Sequence, residues 1–116
     1  MNAGSGRRKW PGRAALGGGV LVAMVLTAGR SPGAGRMAVD IKDFMYSPAS
    51  LTVAVGTTIT WVNRDEEPHT VTSATSTFTS TGLSHEETFA RTFERAGTYA
   101  YFCALHPQMK ATVVVK

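Results

Sequence analysis

Cys103, His106 and Met109 place a thiolate, an imidazole and a thioether at three-residue intervals in the run Cys-Ala-Leu-His-Pro-Gln-Met. A fourth donor, His69, stands 34 positions before the cysteine, behind a proline in Pro68-His69-Thr70-Val71. Soft cysteine sulfur suits Cu(I), imidazole suits both oxidation states, and a weak thioether disfavours the tetragonal geometry that Cu(II) prefers. The set points to one copper ion cycling between two charge states. Hydrolytic metal chemistry, which keeps a coordination position open for water, is not implied. Zinc is chemically possible, although thioether is a poor ligand for it.

Each donor taken singly has an ordinary explanation. Histidines are commonly surface or hydrogen-bonded residues, methionine packs cores, and an isolated cysteine behaves as a small buried apolar residue. The combination outweighs those readings, because it comes with a single cysteine in the whole chain. One thiol forms no internal disulfide, so it pairs elsewhere, stays free or is held by something. A domain of about 80 residues without disulfides has a marginal core and gains stability from a bound metal. The remaining histidine, His85, sits in a Leu-Ser-His-Glu-Glu turn and is read as exposed, not as a ligand.

The elements that must position these donors are strands. From Met37 onward the chain is rich in Val, Thr, Ile, Phe and Tyr, with turn residues at short intervals. Seven strands are expected, at 38–43, 50–55, 58–63, 69–73, 88–93, 98–102 and 111–115. The stretch 74–83 is Ser/Thr-rich and expected to be irregular. No segment of this part holds a 3.6-residue apolar period over helical length. An all-β two-sheet sandwich or small barrel follows. On this reading a loop joins the last two strands and turns Cys103, His106 and Met109 toward one point, which a straight strand with alternating side chains does not do.

Charge separates the chain into two parts. Residues 1–36 hold six Arg or Lys and no acidic residue; the remainder holds six Arg or Lys against eight Asp or Glu, six minus eight or −2. The overall charge of +4 therefore belongs to the leader. A basic stripe for phosphate backbones is lacking, so no nucleic-acid partner is expected. Arg7-Arg8-Lys9 followed by the uncharged run from Ala14 to Ala28 reads as an export signal, with an uncleaved membrane anchor as the alternative. The run is short for a span, which needs about 20 residues. The Arg7-Arg8 pair resembles a twin-arginine signal. Residues 1–36 are thus assigned to a signal peptide or anchor with a short linker, and 37–116 to one domain.

At these residues the chain resembles the cupredoxins, the blue copper proteins, and most closely the amicyanin and pseudoazurin group. The resemblance runs from about Ala38 to Val115. It is carried by Leu-Thr-Val-Ala-Val-Gly-Thr-Thr-Ile-Thr-Trp-Val-Asn (51–63), by Pro68-His69-Thr70-Val71, by Ala96 to Cys103, and by His106-Pro107-Gln108-Met109. Two residues between Cys and His, and two between His and Met, is the amicyanin loop length. The resemblance implies a Greek-key β-sandwich with one type 1 copper held by His69, Cys103, His106 and, axially, Met109. It implies electron shuttling between redox protein partners in the periplasm or outside the cell. It also implies that the second histidine lies at the surface in an apolar patch, for which Leu105, Pro107 and Pro68 are available. Asn63 is a candidate to brace the ligand loop, or else an ordinary strand-terminal residue. Departures are Thr70, where amicyanins commonly have Asn, Gln108, where they carry an aromatic, and Glu86 and Ala111, where relatives often have Gly.

A mobile, monomeric one-electron carrier in the periplasm or cell envelope is the leading expectation; copper capture and delivery with the same ligands is the alternative. Multicopper catalysis needs further copper sites, and with three histidines and no His-x-His pair no enzyme is expected.

Overall fold

The computed structural model describes residues 34–116. The expected leader therefore lies outside the described residues, apart from its last three positions. Eight strands follow in order: β1 Arg36–Lys42, β2 Met45–Ser47, β3 Ser50–Val53, β4 Thr57–Asn63, β5 Thr72–Ser73, β6 Thr88–Phe93, β7 Gly97–Cys103 and β8 His106–Val115. Among the described residues no helix is long and apolar enough to cross a membrane.

The alternation that suggested strands is the alternation that builds the core. In β4, β-branched and aromatic residues favour the pleat, and Thr57, Ile59, Trp61 and Asn63 all point inward and are buried. β4 lies in a sheet of order β2-β1-β4-β6, and a second sheet has order β3-β8-β7-β5. β1 runs parallel to β4 and β3 parallel to β8, while β4–β6 and β7–β8 pair antiparallel. Between the sheets, Val39, Ile41, Ile59, Trp61 and Phe93 meet Val53, Tyr101, Val113 and Val115. Full burial of each large apolar side chain contributes about 1.5–3 kcal/mol.

Besides shifts of one or two residues at other strand ends, such as β3 ending at Val53 rather than Val55, the structure departs from the expected seven strands in four places. β1 begins at Arg36 rather than Ala38, because Gly35 and Arg36 already join the sheet: the Gly35 carbonyl accepts from the Thr58 N–H at 2.9 Å. β2 is additional. Asp43 and Phe44 both adopt left-handed backbone, φ 54° and 59°, and this tight turn folds Met45–Ser47 back onto β1. The strand expected at 69–73 contracts to Thr72–Ser73, preceded by a single bridge between His69 and Leu83. The last strand starts at His106, not Ala111.

Candidate metal centre

Cys103 ends β7 and pairs across to His106, so Ala104 and Leu105 form a two-residue hairpin turn. The next pair back is Phe102 with Lys110, so one step along β7 spans four residues of β8. This bulge solves the alternation problem. Regular pleating sends residues three apart to opposite faces, whereas here Pro107 and Gln108 are both exposed and Met109 turns inward. The donors thus sit on an irregular strand, not on a free loop as expected.

One ring nitrogen or sulfur from each of His69, Cys103 and His106 lies within 4.8 Å of the others. The Cys103 Sγ is 3.8 Å from His69 Nδ1 and 3.6 Å from His106 Nδ1. A metal–sulfur bond of about 2.3 Å and a metal–nitrogen bond of about 2.0 Å, at angles between tetrahedral and trigonal, separate the two donors by about 3.5–3.7 Å. The donor spacing fits a single shared ion. Cys103 and His69 are fully buried, Met109 is 4% exposed and belongs to the same buried cluster as Cys103, and His106 is half-buried. His85 lies apart, with Nδ1 3.1 Å from the Asp65 carbonyl and exposed acidic neighbours Glu66 and Glu86.

The surrounding hydrogen bonds hold the donors from several elements. The Thr70 N–H donates to Cys103 Sγ at 3.3 Å, and the Thr70 hydroxyl accepts from the Ala104 N–H at 2.8 Å. Thr70 thus clips the turn between Cys103 and His106 to the segment carrying His69. Asn63, fully buried, donates through Nδ2 to the carbonyls of Glu67 and Leu83, and accepts from the Asp65 N–H. It braces the loop that leads into His69, the first of its two expected readings. Glu86, one of the departures noted from sequence, has φ 66°, and its carboxylate accepts from Arg64 at 2.6 Å.

Two residues of this environment were not singled out from sequence. The Asp65 carboxylate accepts from His69 Nε2 at 2.8 Å, and from the backbone N–H groups of Asp43 at 2.7 Å and Phe44 at 2.9 Å. Burial pushes this carboxyl up, but the hydrogen bonds from Phe44, Asp43 and His69 overcome it and leave the pKa below the ordinary aspartate value. The Phe44 ring stands edge-on to both imidazoles, 5.0 Å from His69 and 4.9 Å from His106 between centroids. An aspartate four positions before a histidine in a loop carries no fixed geometry, so neither residue left a usable signal.

Aromatic side chains close the inner side. Burial, with the nearby charge of Cys103 and of Tyr101, pushes the Tyr46 phenol far up, and its hydroxyl donates to the Thr70 carbonyl at 2.6 Å. Burial likewise pushes Tyr101 up to about 12, opposed by the hydrogen bond its oxygen accepts from Trp61 Nε1.

Comparison with known proteins agrees with this geometry. A family model described as a cupredoxin-like domain matches residues 16–115. Amicyanin of Paracoccus denitrificans is 38% identical over 87 residues, covering 71% of this chain and 66% of its own length, a little under two thirds. Plastocyanin of Scenedesmus fuscus is 33% identical over 94 residues, covering 70% of this chain and 96% of its own. A solved structure of the Cu(I) form of an amicyanin mutant superimposes with a TM-score of 0.66 at 36% identity, covering 77% of this chain and 88% of the other.

Proposed function

The chain belongs to the cupredoxin-like family, and on that footing we propose that it is a one-electron carrier holding one type 1 copper through His69, Cys103, His106 and Met109. The observation that carries this reading is the convergence of Cys103 Sγ on two imidazole nitrogens at 3.8 and 3.6 Å. Copper bound to such a set supplies a Cu(II)/Cu(I) couple whose potential is tuned by the thioether and by hydrogen bonding at the cysteine sulfur. Thr70 supplies that hydrogen bond. Asn63 and Thr70 hold the ligand-bearing segments in place, which limits rearrangement between oxidation states.

His106 is the donor nearest solvent, and exposed Leu105, Pro107, Pro68 and Phe44 supply apolar surface in the segments that carry the ligands and in the adjoining turn. A redox protein partner docks there, and the electron crosses at the His106 imidazole. Three of the four donors are buried, which supports retention of the ion and favours a carrier over a delivery protein. The basic leader with its uncharged run from Ala14 to Ala28 supports export to the periplasm or the outer side of the cell envelope.

The test is to titrate Cu(II) into the purified full chain and record the visible spectrum. An intense thiolate-to-copper band at one ion per chain is expected, absent in Cys103→Ser. Repeated reduction and reoxidation should return the same band without loss of metal. A faint spectrum of ordinary tetragonal Cu(II) overturns the site, and release of the ion on reduction overturns the carrier in favour of delivery.

A further inference from the structure

Asp65 is the residue through which three parts of the molecule meet. Its side chain is only 10% exposed, yet among the described residues it is bonded to no lysine or arginine. A buried carboxylate needs compensation, and here it comes from two consecutive backbone N–H groups and one imidazole. Those N–H groups belong to Asp43 and Phe44, whose left-handed conformation lets both point at one anion, a backbone nest. A phenylalanine with φ 59° is disfavoured by contact between its Cβ and the backbone. The conformation persists because the carboxylate holds it, and it sets the Phe44 ring edge-on against both His69 and His106.

The same carboxylate decides the chemistry of His69. An ionised carboxylate only accepts hydrogen bonds, so His69 Nε2 must carry the proton. Nδ1 is then left with its lone pair, on the side where Cys103 Sγ lies 3.8 Å away. We propose that Asp65 is the positioning residue of the metal centre: it fixes His69 in the tautomer that ligates through Nδ1, and by gripping the β1–β2 turn it sets Phe44 against both imidazoles. This rests on the assignment of His69 as a ligand. A carboxylate hydrogen-bonded to the far nitrogen makes the imidazole a stronger donor, which benefits Cu(II) more than Cu(I). Asp65 therefore holds the reduction potential down. Asparagine does not replace it, because an amide turns its NH2 toward one of the three donors that the carboxylate accepts from.

The experiment compares the full wild-type chain with Asp65→Asn and Asp65→Ala. In the copper-free wild type, nitrogen NMR of the imidazoles should show His69 as the Nε2–H tautomer, and Asp65→Ala should show a tautomer mixture. In the loaded proteins, Cu(II) affinity should fall about ten- to hundredfold in Asp65→Asn. Cu(I) affinity should fall less, so the potential rises while the intense colour is kept. A wild type whose His69 is protonated on Nδ1 overturns the proposal, even if the variants do not fold. So does an Asp65→Asn protein with an unchanged ratio of Cu(II) to Cu(I) affinity. The tautomer is read without metal, so its failure is distinct from failure of the ligand assignment, which the Cys103→Ser spectrum reads.

Discussion

The Asn63 side-chain amide donates to the Leu83 carbonyl at 2.7 Å, at the point where Leu83 and His69 exchange both backbone hydrogen bonds. The end of β4 is thereby tied to the backbone of His69. Replacing Asn63 with Leu removes that bond together with those to Glu67 and from Asp65, and deprives the part-buried Glu67 carbonyl and Asp65 N–H of the partners that hold the loop. The copper-free protein should lose about 2–4 kcal/mol. Urea unfolding followed by circular dichroism measures it; a loss within experimental error means that Asn63 does not brace the loop.

Thr70 works on the other side of the same centre. Its hydroxyl accepts from the Ala104 N–H, while its own N–H reaches the cysteine sulfur. Thr70→Val deletes the first interaction and keeps the second. Stability should fall by about 1–2 kcal/mol, and the thiolate-to-copper band should stay at the same wavelength. Thr70→Ser should restore most of the stability. A valine variant with a strongly shifted band would mean that the hydroxyl governs the sulfur's surroundings as well as the turn.

What was readable from sequence was what local spacing controls. The alternation of Ile59 and Trp61 gave away β4, whereas the run from Cys103 to Met109 read as a free loop and not as the tight turn and bulged strand it forms. β2 was hidden because its turn uses Phe44 in a conformation that its side chain resists, and the carboxylate that compensates is 21 positions away. The bulge that turns Met109 inward was hidden for a similar reason. Nothing in Pro107-Gln108 announces that four residues of β8 will oppose one step of β7. Long-range compensation leaves no local pattern.

Metal removal should be visible in stability. The donors converge only in the folded chain, so an ion bound there stabilises the native state by mass action, by about 4 kcal/mol when free metal is a thousandfold above its dissociation constant. Thermal unfolding with copper, and again after chelation, should show the midpoint fall and then recover on reloading. Cys103→Ser should lose most of the copper-dependent increment. An identical increment in that variant would place the stabilising ion elsewhere.

Met109 offers the sharpest separation between holding copper and tuning it. Its side chain is 4% exposed and buried with the core, so leucine of similar volume should cost less than about 1.5 kcal/mol. As a weak thioether ligand Met109 would donate some electron density, which favours Cu(II) over Cu(I). Met109→Leu should therefore keep the intense colour and raise the reduction potential, as read by spectroelectrochemistry beside the wild type. Because Asp65→Asn is expected to shift the potential in the same direction through a different ligand, the double variant should show close to the sum of the two shifts. If Met109→Leu instead loses copper altogether, the thioether is a principal ligand and the axial assignment is wrong.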